Sequence, residues 1–257
     1  MALVDYFSEE RIGYITLNRP EKRNALSREL IGELWNAFDQ AEQDAGVKVV
    51  VLQARGDAFC AGADLAYLQQ LQGFSYEENL EDSRFLKRLY EKIFGLTKVV
   101  IAQVQGHALA GGCGLATVCD FVFAVPEAKF GYTEVKIGFI PALVMVFLTR
   151  KIGEQRARGM LLSGEWITAQ QAHEWGLAHR VVPPGELETT VKTFAQKLIA
   201  NNSGESMRLT KKLLAEVPSL SLPDALDWAA ATNAQARGTD DCKKGIAAFL
   251  NKQELKW

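Results

Sequence analysis

Neither sign of charge dominates this sequence. Its 29 lysines and arginines stand against 31 aspartates and glutamates, for a formal net charge of −2. That balance excludes a surface built to coat a polyanion, and no nucleic-acid partner is expected. The densest basic groups, Arg84, Lys87, Arg88 and Arg150, Lys151, Arg156, Arg158, read as solvated faces. Cysteine is scarce. Cys60, Cys113, Cys119 and Cys242 include no C-x-x-C pair and read as small core residues, not a disulfide frame. His107, His173 and His179 have no metal-ligand spacing, so no metal site is expected. No apolar run reaches the roughly 18 residues that cross a bilayer. The opening MALVDYFSEERIG has no basic region followed by an apolar one, and the expected location is cytoplasmic. The phosphate loop G-x-x-x-x-G-K-[ST], the zinc motif H-E-x-x-H and the nucleophile elbow G-x-S-x-G are all missing. The glycines between 106 and 114 do not fit G-x-G-x-x-G, which weakens a nucleotide-binding reading.

What is present is a chain of 257 residues, 48% of them apolar, enough for a substantial core. Arg11 to Leu17 alternates as a strand does. Ser27 can cap a helix reaching about Gln43, with Leu30, Ile31, Leu34, Trp35 and Phe38 on one face, and Gly46 can end it in a left-handed conformation. Val47 to Leu52 is a β-branched run suited to a strand buried on both faces. A helix is expected from near Asp64, then a mobile polar loop from Gln72 to Asp82, then a helix from Ser83 to Phe94 ending at Gly95. The strand Val99 to Val104, a short helix from near Gly112 and the strand Phe121 to Val125 follow. Beyond Pro141 the chain reads as largely helical, giving a β/α part followed by a helical one.

Two places share a pattern of strand, small-residue loop and helix. Their loops carry Cys60-Ala61-Gly62-Ala63 and Leu109-Ala110-Gly111-Gly112. Small residues let a backbone approach a ligand closely, and helix-start N–H groups lack internal partners. Two such ends converging would make an oxyanion hole. Tight turns and close strand–helix packing account for the same glycines, and local spacing leaves both readings open.

The ordered set of motifs resembles the enoyl-CoA hydratase/isomerase (crotonase) superfamily over nearly the whole chain. It comprises Leu17-Asn18-Arg19-Pro20 with Asn24-Ala25-Leu26, Phe59 to Leu65, Gly106 to Cys113, Cys119-Asp120, Ala128 to Gly131, and Glu134 to Pro141. The resemblance implies an α/β fold, a crotonase-like superhelix of repeated β-β-α units with a C-terminal helical region. Residues 1–190 would form the core with the CoA and oxyanion site, and residues 191–257 a trimerisation region. Trimers or dimers of trimers are the implied assembly. The backbone N–H groups of Ala63 and Gly111 would hold a thioester oxygen, with Glu134 as the catalytic carboxylate. Arg23, Ala25, Leu26 and Ala61 would meet the CoA moiety. Asp64, Leu65, Leu109 and Gly114 would flank the substrate. Phe249 would line the acyl pocket and Lys252 would meet CoA phosphates, although the usual Glu-Lys-Arg there reads Asn251-Lys252-Gln253. No separate cofactor is implied, because coenzyme A is part of the substrate.

One departure bears on the chemistry. Many hydratases of this family carry a glutamate where this chain has Gly114, and other branches use an acid where it has Ala142. Glu127 is too close to Glu134 to substitute and reads as a surface turn residue. Glu134, which in isolation could start a helix or pair with a base, is then the only carboxylate of the motif. A single carboxylate suits a double-bond shift slightly better than hydration, and slow hydration, including of a methylglutaconyl-CoA-like substrate, remains the alternative. If the seat at 114 is vacant, a glutamate placed there should raise hydration. A third reading, a non-catalytic acyl-CoA- or RNA-binding relative, is opposed by the retained Glu134 and the charge balance.

Overall fold

The computed structural model describes residues 2–257. In chain order the elements are β1 (Val4–Glu9), β2 (Ile12–Leu17), α1 (Arg28–Gln43), β3 (Val49–Ala54), β4 (Ala58–Cys60), α2 (Leu65–Leu71), α3 (Tyr76–Phe94), β5 (Val99–Val104), β6 (His107–Leu109), α4 (Gly111–Val118), β7 (Phe121–Ala124) and β8 (Lys129–Gly131). They continue with α5 (Ala142–Ile152), α6 (Glu154–Ser163), β9 (Trp166–Thr168), α7 (Ala169–Glu174), β10 (Arg180–Val181), α8 (Leu187–Asn201), α9 (Gly204–Glu216), α10 (Leu222–Gly238) and α11 (Asp240–Leu250).

The strands form two sheets. The larger runs β1-β2-β3-β5-β7-β10 and the smaller β4-β6-β8-β9. Successive units place one strand in each sheet and then a helix: β3, β4 and α2–α3; β5, β6 and α4; β7, β8 and α5. This is the expected β-β-α repeat. Pairing within the larger sheet is parallel from β2 onward. Its central strands are buried on both faces, which is why they read as continuous Val/Ile runs. The antiparallel β1–β2 hairpin turns on Glu10 and Arg11, both at positive φ (51° and 66°). That geometry is the two-residue hairpin turn usually marked by Asn-Gly. Its absence from the sequence kept β1 hidden.

Three expectations are corrected. The stretch from Gln72 to Asp82 is largely helix. α3 starts at Tyr76, where the Ser75 hydroxyl accepts from Glu78 N–H and the Glu78 carboxylate accepts from Ser75 N–H. That reciprocal cap, S-x-x-E, stabilises the helix start although the following residues are polar. At the end of α1, Gly46 is not left-handed. The helix stops at Asp44, whose carboxylate accepts the Gly46 N–H at 2.8 Å. Lys151, assigned above to a solvated face, turns inward and donates to the carbonyl of Thr117 at 2.9 Å.

Lys151 belongs to a recurring device. Lys48 Nζ reaches Ile199 O at 2.7 Å and Lys98 Nζ reaches Ala41 O at 2.6 Å. Each lysine meets a last-turn carbonyl of α4, α8 or α1, helices with no basic residue in their own last turn. Distant cations thus satisfy orphan carbonyls and the negative ends of the helix dipoles. Residue 190 lies inside α8, which packs on β3, β5 and β7. α10 and α11 pack on each other and on α9, and leave Leu222, Leu226, Ile246 and Leu250 exposed.

Candidate active site

Three neighbouring parallel strands of the smaller sheet end at one edge. Cys60 of β4 pairs with Ala108 of β6, and Leu109 of β6 with Gly131 of β8. Ala63, Gly111 and Glu134 each follow within three residues of the ends of those strands. Residues far apart in the chain therefore emerge together at the carboxyl ends of parallel strands, where α/β sheets usually bind ligands.

The first donor is set by a bridge. Leu26 and Ala63 pair in parallel, with Leu26 N–H donating to Gly62 O at 2.7 Å and Asp64 N–H to Leu26 O at 2.9 Å. In such a bridge the central residue points its own N–H the other way. Ala63 N–H accordingly meets no protein acceptor among the described residues. The second donor is the first residue of α4. Gly111 N–H has no intrahelical partner, and it too meets no acceptor among the described residues. The two loops touch at Gly62 and Ala110. Gly62 lies at φ 94°, and a Cβ there would come within 2.8 Å of the Ala110 methyl. At Gly112 a Cβ would reach 2.3 Å from Cys60 O, so α4 can start against β4 only without a side chain. Gly112 serves close packing, and Gly111 is also tightly surrounded, with a Cβ there 3.0 Å from Leu26 Cδ1 and 3.2 Å from the Tyr90 hydroxyl.

Glu134 opens a 3₁₀ turn, Glu134–Ile137, just after β8. Its Oε2 is buried without a hydrogen-bond partner among the described residues. Burial away from water pushes its carboxyl above the ordinary carboxylate range. The carboxyl thus keeps a free oxygen, and it follows the same sheet edge as the two unpaired N–H donors.

The loop ahead of α1 is locked from below. Asn24 is fully buried and donates to Arg55 O and Ala58 O, both at 2.9 Å, while its side-chain oxygen accepts from Arg19 N–H. Arg19 pairs with Asp64 at 2.7 Å, and Asp64 also caps α2 through Ala66 N–H. The Asp64 carboxylate is thus engaged in structure. Ala61 N–H donates to Arg23 O at 3.0 Å, tying the loop of Arg23, Ala25 and Leu26 to the Ala61–Ala63 loop. Leu65 is exposed beside it, and Leu109 is half-buried at the end of β6.

Gly114 is not a vacant seat. A Cβ there would lie 2.4 Å from Val144 Cγ1 and 2.9 Å from the Tyr90 hydroxyl oxygen. The chain has filled that space from α5 and α3. Ala142 opens α5, and Glu127 is exposed in a turn, as expected. Among the described residues no hydrogen bond or ion pair joins Phe249 or Lys252 to the loop pair. Phe249 is 83% exposed on α11, which packs mainly on α9 and α10. Sequence reasoning missed Tyr90. Its spacing with Leu86, Leu89 and Ile93 marks a buried helix face, and nothing in that pattern shows where its hydroxyl goes. No group of ligating side chains that could hold a metal occurs among the described residues. No helix there is long and apolar enough to cross a membrane.

Comparison with known proteins shows the family and the fold. The family model described as enoyl-CoA hydratase/isomerase matches residues 8–257. A Thermus thermophilus protein named "Putative enoyl-CoA hydratase" is 45% identical over 242 residues, covering 94% of this chain and 95% of that one. The "Crotonyl-CoA hydratase" of Syntrophomonas wolfei is 33% identical, covering 97% and 95%. A crystal structure of a Mycobacterium smegmatis enoyl-CoA hydratase superposes with a TM-score of 0.93 at 31% identity, covering 99% and 98%. The fold is therefore the crotonase fold, and the chain is an enzyme belonging to the enoyl-CoA hydratase/isomerase family.

Proposed function

We propose that the chain processes an acyl-CoA thioester through an enolate, with the Ala63 and Gly111 N–H groups binding the thioester oxygen and Glu134 moving the proton. The carrying observation is a set of unused elements at one sheet edge: a buried, unpartnered carboxylate oxygen and two backbone donors with no protein acceptor. For a 3-enoyl thioester, Glu134 takes a proton from C2 and the electron pair spreads onto the thioester oxygen. The two N–H groups stabilise that charge, and losing one such donor typically costs about 2.7–4 kcal/mol. Glu134 returns the proton at C4, so the double bond moves from C3–C4 to C2–C3 with no net change in atoms. The raised pKa of Glu134, a consequence of its burial, suits a group that must both take and return a proton.

Isomerisation is the slightly favoured reading because the position of a second carboxylate is filled by Val144 and Tyr90. Hydration with one carboxylate is the second reading, supported by the hydratase names of the relatives. In either case Arg23, Ala25, Leu26 and Ala61 would meet the CoA moiety, and Phe249 and Lys252 would be supplied by the C-terminal region. The exposed apolar residues of α10 and α11 support assembly as a homotrimer or a dimer of trimers. A cytoplasmic location and the absence of a separate cofactor complete the proposal. Incubation with 2-enoyl-, 3-enoyl- and saturated acyl-CoAs in D₂O, followed by NMR, tests it. Deuterium at C2 or C4 with a migrated double bond supports isomerisation, and a new C3 carbinol signal supports hydration. No exchange with any thioester defeats the enolate reading.

A further inference from the structure

The residue just before the Gly111 donor is held in an unfavourable conformation. Ala110 has φ 49° and ψ −127°, a region that L-residues avoid. Such a backbone persists only where its surroundings over-determine it. Two hydrogen bonds bracket it. Upstream, Ala110 N–H donates to Gly131 O at 2.7 Å. Downstream, the Tyr90 hydroxyl donates to Gly111 O at 2.9 Å. The first bond comes from the smaller sheet itself, whereas the second reaches in from α3.

We infer that the Tyr90 hydroxyl is a positioning group for the oxyanion pair: by holding the Gly111 carbonyl it fixes the first turn of α4 and so aims the Gly111 N–H. The inference rests on the enolate reading above and deepens it. Tyr90 is fully buried, and its ring meets the edge of Phe147 at a centroid distance of 6.2 Å, so the hydroxyl has little freedom to wander. Burial above all, with the acidic groups of Cys60 and Glu134 nearby, pushes the phenol's pKa well above its ordinary value. It therefore stays a neutral donor to the Gly111 carbonyl. The same hydroxyl lies 2.9 Å from where a Cβ on residue 114 would be. A side chain at 114 and the hydroxyl of Tyr90 are thus alternatives for one space. In this chain the space holds a clamp on α4 in place of a group facing the substrate.

The test uses the full-length chain and a chromophoric, conjugated acyl-CoA, whose absorption moves to the red when its carbonyl oxygen accepts hydrogen bonds. Wild type should bind it with a red shift. Tyr90→Phe keeps the ring and removes the hydroxyl. It should lose at least half of the shift, with dissociation constant and KM within about threefold. Misaiming a donor should cost less than deleting one, which removes roughly 10²–10³ in kcat, so kcat should fall about tenfold to a hundredfold. The pH midpoint of kcat should not move, because Glu134 remains the base. Ala110→Gly added to Tyr90→Phe should recover most of the shift, since glycine adopts positive φ without strain. On its own, Ala110→Gly should raise the thermal midpoint, a check that does not depend on how well Tyr90→Phe folds. A full shift with kcat within threefold of wild type in Tyr90→Phe overturns the inference, whatever its stability. So does a lower thermal midpoint in Ala110→Gly. If wild type binds the chromophore without a shift, or does not bind it, the oxyanion reading itself fails and takes this inference with it.

Discussion

The two sheets divide the work of the molecule unequally. The six-stranded sheet is built from strands such as Val49–Ala54 and Val99–Val104, whose side chains are almost wholly buried. The four-stranded sheet is built from three-residue strands and buries far less, yet every proposed reacting group leaves from its edge. Stability resides mainly in the first and the proposed chemistry in the second. A short strand adds little cohesion, but parallel pairing fixes the direction in which its carboxyl end points. Mutations should therefore separate the two, with stability lost from one sheet and rate lost from the other.

The largest separation is expected at Glu134. Glu134→Gln preserves shape and removes the base, so turnover should fall by about 10²- to 10⁴-fold. CoA-thioester binding should be nearly unchanged by calorimetry. A variant retaining more than about a tenth of the rate lies below that usual range and would break the assignment. The converse change is Ile101→Ala in β5, a fully buried side chain. It should cost about 2–5 kcal/mol in denaturant unfolding. The folded fraction should keep a kcat within threefold, and a large loss of kcat there would show that the two sheets are not separable.

Gly114 lies between these extremes, buried in α4 against both the site and the core. Gly114→Ala gains roughly 1 kcal/mol in helix propensity. Overpacking against Val144 and Tyr90 costs about 1–3 kcal/mol, so a net loss of stability is expected. Gly114→Glu should then fail to raise hydration of a short 2-enoyl-CoA, contrary to what a vacant seat would give. Faster loss of conjugated thioester absorbance in that variant would show that Val144 and Tyr90 yield easily.

The smallest effect is a pH dependence of stability. The Glu134 carboxyl is raised by burial, so the folded state holds its proton to higher pH than the unfolded state does. Its contribution is neutral below the unfolded value and becomes destabilising as pH rises through the folded value. Glu134→Gln should melt above wild type at neutral pH, with the gap closing in acid. An equal gap at all pH values would show that the carboxylate is not penalised by its surroundings.

How much of this was legible in the sequence varies with the element. α1 was marked by Ser27 and its apolar face, and β3 and β5 by β-branched runs, because burial on both faces leaves no alternation to misread. The start of α3 is marked by the Ser75–Glu78 cap, a signal obscured by the polar residues that follow it. Strands β4, β6, β8 and β9 are too short for any period to show. Within the site, Ala63, Gly111 and Glu134 came from the motif resemblance. Local spacing alone could not tell an oxyanion loop from a tight turn.

The sequence by itself determined the family, because the ordered motifs survive in linear order. It also determined that one motif carboxylate is missing at Gly114. Only the tertiary structure decided what fills that place. The fillers, Tyr90 and Val144, come from α3 and α5, more than 20 residues before and after Gly114. Their approach depends on how the two helices pack against α4, a property of assembled surfaces that no local run of residues encodes.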